Sequence, residues 1–262
     1  MLCKICKEHH LKLELKLNKR IKNENLFGIN IKVYERCLYK CKCGHFYNFH
    51  KHSKFLDSIY KKKYSKESHN NLENKFKFIK SLKKKSSNFH RVEFLKKKID
   101  NKCSILDIGS GFGIFPHEMK KSKFNILASE TNKEMISFMK KKKIKCFYFN
   151  ILNKKFNLNK KFDVITFNKV LEHLKLNNIK EVLKKSKLLL KNKGIIYIEL
   201  PSSTAKKINL YRQEFYFEHY NIFSIRSFRL LIKSIGFKII YIKDIIEVNK
   251  KYTIRAIICP VK

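Results

Sequence analysis

Missing from this sequence, first, is any apolar run approaching the roughly 20 residues of a membrane-spanning helix, because lysines interrupt every such stretch. The opening residues, MLCKICKEHH, also lack the apolar core of a secretory leader, which makes the cytoplasm the expected location. Arginine is scarce, seven of 61 basic residues, whereas base-edge and bidentate phosphate recognition favour it over lysine. Acidic residues number only 21, which leaves a formal net charge of +40. Clustered cations gain affinity for nucleic acid by releasing counterions. Here the lysines are instead spread through nearly every segment beside abundant Asn and Ile, the pattern of a compositional bias on solvated faces. A nucleic-acid partner stays open but is not favoured, and such a field would still steer small anionic substrates inward. Internal repeats are absent too. What is present suffices for a folded chain: 44% hydrophobic and 13% aromatic residues exclude wholesale disorder, and 262 residues allow one large core with a small satellite module.

Three of the eight cysteines, Cys103, Cys146 and Cys259, lie beside or within apolar runs and read as core thiols. The other five, Cys3, Cys6, Cys37, Cys41 and Cys43, crowd the N-terminal region. In a cytosolic chain, CKIC followed by CKCGH points to a pair of metal knuckles rather than to disulfides. Between them, LKLELKLN alternates as a half-buried strand does. Two hairpins tipped by cysteine pairs suit a zinc-ribbon-like module over residues 1–52, with Cys3, Cys6, Cys41 and Cys43 as tetrahedral thiolate ligands. The second pair is one residue tighter than C-x-x-C, so Cys37 and His45 stand as substitutes. Four protein ligands leave no open position, and zinc there would be structural. A ribbon that has lost its metal is the alternative.

Residues 53–102 change character. Leu72, Phe76, Ile79 and Leu82, then Phe94, Leu95 and Ile99, follow helical spacing and predict two helices, a linker or cap that packs over the next domain. From 103 onward strand and helix patterns alternate. Strands are expected at 104–109, 125–129, 145–150, 162–168, 194–200, 237–242 and 252–259, and helices around 115–121, 132–142, 174–191 and 224–235. Near-continuous apolar strands separated by helices imply an α/β domain over 103–262 whose parallel sheet is covered on both faces. No helix fits between the last two strands, which should therefore form an antiparallel hairpin.

ILDIGSGFGIF is the most informative stretch. A buried strand ends at Asp107 and Ile108, and Gly109, Ser110, Gly111 and Gly113 precede a helix whose free N–H groups face the loop. Glu130 follows the second strand, at the distance where a carboxylate accepts both ribose hydroxyls. The loop reads G-x-G-x-G rather than the G-x-G-x-x-G of dinucleotide binders, which counts against a nicotinamide-dependent dehydrogenase. A pyrophosphate would avoid Asp107, whereas a cationic ligand would not. Glycine-rich turns serve many nucleotide-binding folds, and Glu130 has the alternative of a solvated helix cap.

This combination resembles the class I S-adenosylmethionine-dependent methyltransferases over roughly residues 103–262, because four motifs occur in order at successive strand ends. The resemblance implies a Rossmann-like sheet of seven strands, the last antiparallel, that binds the cofactor across the carboxyl ends of the first four. It implies Asp107 and the loop Gly109, Ser110, Gly111 and Gly113 along the methionine part, and Glu130 on the ribose. Asn150 stands where the family has Asp facing the adenine amino group. FNKVLEHL after the fourth strand matches the family's V-L-E-H segment, which implies Asn168 and His173 near the reactive end. The bland alternative is that Glu172 and His173 begin a helix.

The 23 residues from 201 to 223 form a long connection at the ligand end of the sheet, and such insertions are usually functional. FYFEHYNIF lies in it, a candidate substrate lid in which Glu218 orients His219 as a base. The stretch Y-x-E-H followed by aromatics resembles the sugar C-methyltransferases, which join an N-terminal zinc module to a class I domain. That resemblance implies Tyr216, Glu218 and His219 as an acid–base cluster, Tyr60, Tyr64 and His69 as further candidates, and a small-molecule acceptor, a sugar or nucleotide-sugar on the way to a glycan. C- and O-methylation are both open. A hydrogen-bonded Glu–His pair that merely fixes the lid is the alternative, and an RNA methyltransferase using the zinc module and lysines is the rival function. The FNKV turn lacks the N-P-P-Y of enzymes that methylate base amino groups.

Overall fold

The computed structural model describes residues 1–25, 29–50, 72–153 and 158–261. At the N-terminus, β1 (Lys12–Leu17), β2 (Arg36–Lys40) and β3 (Phe46–His50) pair antiparallel in sequence order. The helices α1 (Leu72–Ser81) and α2 (Ser87–Lys96) follow, the second capped by the Ser86 hydroxyl on the Asn88 N–H. Both pack over the sheet. Phe76 joins Ile114, Ala128 and Met139 in one apolar cluster, and Val92 and Leu95 join Ile105, Phe115 and Tyr197 in another.

The larger domain then alternates: β4 (Ser104–Ile108), α3 (Ile114–Lys121), β5 (Asn125–Glu130), α4 (Lys133–Lys141), β6 (Cys146–Tyr148), β7 (Phe162–Asn168), α5 (Leu176–Leu189) and β8 (Leu190–Pro201). After a two-residue strand β9 (Asn221–Ile222) come α6 (Ile225–Ser234), β10 (Phe237–Ile246) and β11 (Tyr252–Pro260). Ser224 caps α6 through a reciprocal box with Ser227, and Gly236 at φ 78° ends it. Seven strands form one sheet in the order β10-β11-β8-β7-β4-β5-β6. Only β11 runs antiparallel to its neighbours, and it makes the expected hairpin with β10. The chain leaves β4 for β5 on one side and β7 lies on the other, so a crevice opens at the carboxyl ends of β4 and β7.

Three elements differ from expectation. β6 ends at Tyr148, so Asn150 lies in the turn beyond it, where its Oδ1 accepts from the Leu152 N–H at 3.0 Å. β8 begins at Leu190, directly after α5, because Lys191–Lys193 continue the strand as a solvated end. The third concerns the long connection, which does not stand apart from the N-terminal module. β9 is the fourth strand of that module's sheet, with Phe46 opposite Ile222 and Tyr47 opposite Asn221.

Candidate functional site

The glycine loop sits at the mouth of the crevice. Gly109 and Ser110 donate their N–H groups to the Ser129 carbonyl, at 3.0 Å each, which lashes the loop to the end of β5. Gly111 has φ 55°, and a Cβ built there would meet nothing within 4 Å. The conformation disfavours ordinary side chains while the space beside it stays open, as a ligand cradle requires. Gly113 is glycine for another reason: a Cβ there would lie 2.7 Å from Met139 Cγ, in the packing of α3 on α4. Glu130 is brought to the loop, its Oε2 accepting from the Gly111 N–H at 2.9 Å and its Oε1 from the Thr131 N–H at 2.7 Å.

Asp107 is buried at the end of β4, and burial raises its pKa to about 6 despite hydrogen bonds from Thr166 and Asn168. Its Oδ1 accepts from Thr166 Oγ1 at 2.6 Å and from Asn168 Nδ2 at 3.0 Å. The amide of Asn168 is thereby oriented, and its buried Oδ1 has no hydrogen-bond partner among the described residues. A buried acceptor without a donor is costly, and one at a crevice mouth awaits a ligand donor. The cradle at Gly111, the acid at Asp107 and this oxygen fit a cationic nucleoside such as S-adenosylmethionine.

β7 is followed by a single 3-10 turn, Leu171–His173, rather than by an α-helix. The Tyr220 N–H donates to the Glu172 carbonyl at 2.9 Å and ties the long connection to this turn. His173 and His219 thus come together, ring centroids 4.9 Å apart. Each Nδ1 faces a backbone carbonyl, that of Glu218 at 3.2 Å for His173 and that of Glu214 at 3.0 Å for His219. A carbonyl only accepts, so each Nδ1 carries the proton and each Nε2 the lone pair. Burial keeps both rings neutral, bringing His173 to about 4 and His219 well below the ordinary range. Burial raises Glu172 to about 7 and Glu218 to about 8.

The orienting partner of His219 is therefore the Glu214 carbonyl, and the Glu218 carboxylate stands apart with its Oε2 buried and unpartnered among the described residues. Tyr216 is not brought to the histidines. Its hydroxyl donates to the Lys22 carbonyl at 2.9 Å, in the N-terminal module. The surrounding aromatics do likewise: Phe217 and Tyr220 cluster with Ile29 and Tyr34, and Phe215 with Leu38 and Phe46. A buried ion pair locks this contact. Glu24 accepts from the Phe217 N–H at 2.7 Å, and Arg36 donates to the Phe215 carbonyl at 2.5 Å and pairs with Glu24 at 3.2 Å. Tyr60, Tyr64 and His69 lie outside the described residues.

In the module itself, Cys3, Cys6, Cys41 and Cys43 converge, all four sulfurs within 4.8 Å of one another. Cys3 and Cys43 Sγ are 3.9 Å apart and Cys6 and Cys41 Sγ 3.5 Å. Bonds of about 2.3 Å in a tetrahedron make edges of about 3.8 Å, so the donor set fits a four-thiolate metal. Cys37 and His45 are not in the cluster: Cys37 on β2 stands opposite Phe49 on β3, and His45 Nε2 pairs with Asn221 Oδ1 at 3.2 Å. At Cys6 burial is outweighed by the Glu8 and His9 backbone N–H groups together with the Cys41 and Cys3 thiols, which bring it to about 7, whereas burial lifts Cys41 to about 11.

One group beside the crevice escaped the motif reading. Glu199 on β8 stands opposite Asn168 and is gripped by Arg255 at 2.7 Å, Arg91 at 2.5 Å and the Tyr197 hydroxyl at 2.6 Å. Glu247 bridges Arg91 and Lys169, at 3.5 and 3.0 Å. The signal was available: a lone acid in GIIYIELP and a lone arginine in YTIRAIIC interrupt strands that are otherwise apolar.

Residues 77–242 match a family model described as a methyltransferase domain, more than half of the chain, and the chain belongs to that family. The protein is an S-adenosylmethionine-dependent methyltransferase. Its fold is similar to that of a solved 1,6-didemethyltoxoflavin-N1-methyltransferase from Burkholderia thailandensis with S-adenosylhomocysteine bound. The TM-score is 0.61 at 10% identity, over 87% of this chain and 96% of that one. The magnesium protoporphyrin IX methyltransferase of Synechocystis, also solved with S-adenosylhomocysteine, gives 0.57 at 12% identity over 78% and 98%. A methyltransferase from Clostridium acetobutylicum gives 0.53 at 17% over 73% and 100%. A search of curated proteins found no match. No helix among the described residues is long and apolar enough to cross a membrane.

Proposed function

We propose that the protein methylates a small molecule, a sugar or nucleotide-sugar, on oxygen or on a carbon beside a carbonyl, and that His219 promotes loss of the acceptor's proton. The observation that carries this reading is the pairing of His219 with His173 at the end of β7, each with its lone pair on Nε2. Asp107, Gly109, Ser110, Gly111 and Gly113 cradle the methionine part of the cofactor, Glu130 exchanges its Gly111 bond for ribose hydroxyls, and Asn150 and Asn168 meet the adenine and the reactive end. When bound, S-adenosylmethionine supplies an electrophilic methyl group. The segment 201–223 covers the acceptor, with Glu218 and Tyr216 fixing its shape rather than moving protons. Cys3, Cys6, Cys41 and Cys43 hold a structural zinc ion, supported by sulfur spacings near a tetrahedral edge.

The test is transfer of labelled methyl into fractionated small-molecule extract, with the product identified by mass spectrometry. His219→Ala should abolish transfer while cofactor binding persists. Full activity in that variant would remove His219 from the mechanism, and label appearing only in macromolecules would remove the small-molecule acceptor.

A further inference from the structure

We propose that Glu172, His173 and His219 form a divalent-cation site, with the remaining coordination positions left for water and an acceptor oxygen. One ligand atom from each of the three lies within 4.8 Å of the others. Glu172 is 1% exposed, yet its Oε2 has no hydrogen-bond partner among the described residues. A carboxylate oxygen taken out of water without a donor costs free energy that a cation would return. Lys169 and Lys251 act on this carboxylate electrostatically without hydrogen-bonding its Oε2, and Lys169 is held elsewhere by Glu247 and Thr253.

The histidines are prepared in the way that metal-bound imidazoles are. Both Nδ1–H groups are spent on main-chain carbonyls, those of Glu218 and Glu214, which fixes the tautomer and turns Nε2 into the donor. The Tyr220–Glu172 backbone bond holds the two contributing segments together before any ion arrives. Bonds of about 2.0–2.2 Å put ligand atoms about 3–3.4 Å apart, so binding would draw the three inward by at most about 1–2 Å. Two borderline imidazoles with one hard carboxylate and water accept divalent ions that include Mn²⁺, unlike the thiolate cluster of the N-terminal module.

This inference rests on the methyltransferase reading and specifies how His219 promotes proton loss. An acceptor hydroxyl on the ion releases its proton to water. The oxygen's electron pair then forms the new C–O bond as the C–S bond of the cofactor breaks. The pair from that bond stays on sulfur, and the sulfonium becomes a neutral thioether. The assignment favours O-methylation over C-methylation.

Mn²⁺ is the probe, because thiolate sites disfavour it. Titration of the full chain in the presence of S-adenosylhomocysteine, followed by electron paramagnetic resonance, should show a bound ion with hyperfine coupling to imidazole nitrogen. His173→Asn and the isosteric Glu172→Gln should each weaken Mn²⁺ binding by roughly tenfold or more while calorimetry shows S-adenosylhomocysteine still bound. No retained Mn²⁺ in the parent chain, or Mn²⁺ without nitrogen coupling, overturns the site whatever the variants do. Failure of S-adenosylhomocysteine to bind the parent chain would overturn the methyltransferase reading instead, so the two failures are distinguishable.

Discussion

At the scale of single residues, Asp107 joins fold to function through its charge. Its folded pKa, about 6, lies above the ordinary carboxylate value because burial disfavours the anion. The raised value means that the group holds a proton in the fold below about pH 6 and is ionised above it. For the empty protein this contribution to stability is greatest below the unfolded pKa and is lost as pH rises through about 6. Cofactor binding has the opposite sign, since a cationic ligand is attracted only to the ionised form. Affinity for S-adenosylmethionine should therefore fall as pH drops from 7.5 through about 6, and calorimetric titration across that interval, compared with Asp107→Asn, measures it. A pH-independent affinity in the parent chain would place the cation elsewhere.

At the scale of elements, the strand β9 decides what the aromatic connection is. Two residues pair with β3, and Arg36 and Glu24 grip the backbone on either side of Tyr216, so the N-terminal sheet holds the segment that carries His219. Burial makes this clamp sensitive, because removing either charge strands the other. The cysteine knuckles end the same hairpins: Cys41 and Cys43 lie in the β2–β3 turn, and the Ser224 hydroxyl donates to the Cys43 carbonyl at 2.8 Å. A chelator, with Mn²⁺ then restored to the histidine site, should accordingly release about one zinc ion per chain from the cysteine module and leave methyl transfer abolished while S-adenosylmethionine still binds. Metal release measured with a colorimetric indicator beside the transfer assay checks this. Unchanged transfer after release would separate the module from catalysis.

Much of this scale was legible in the sequence. β4 to β7 and the β10–β11 hairpin follow from apolar runs and a missing helix, and the glycine loop from spacing and an acid. The convergence of Cys3, Cys6, Cys41 and Cys43 was legible from their spacing in two close pairs. The β3–β9 pairing was not, since a two-residue strand leaves no periodicity and its partner lies far away in sequence. Without that pairing, Tyr216 read as part of the acid–base group, when its hydroxyl in fact bonds to the Lys22 carbonyl. The orientation of His219 was hidden for a similar reason: it depends on a main-chain carbonyl, which no side-chain motif encodes.

At the scale of the whole molecule, the structure joins a seven-stranded α/β sheet to a small cysteine-bearing sheet through one shared segment, and the crevice lies at the parallel strands' carboxyl ends. The formal charge of +40 gives the chain as a whole a field that favours anionic partners. In the proposed binding mode, the carboxyl groups of Asp107 and Glu130 at the crevice mouth are the groups that meet the cationic nucleoside. The most direct measurement is a calorimetric titration of the full chain with S-adenosylmethionine at neutral pH. A saturable heat with one ligand per chain, weakened by about 1–3 kcal/mol in Glu130→Ala through lost ribose hydrogen bonds, is the predicted result. An absence of heat at millimolar ligand, or an affinity indifferent to Glu130, would contradict it.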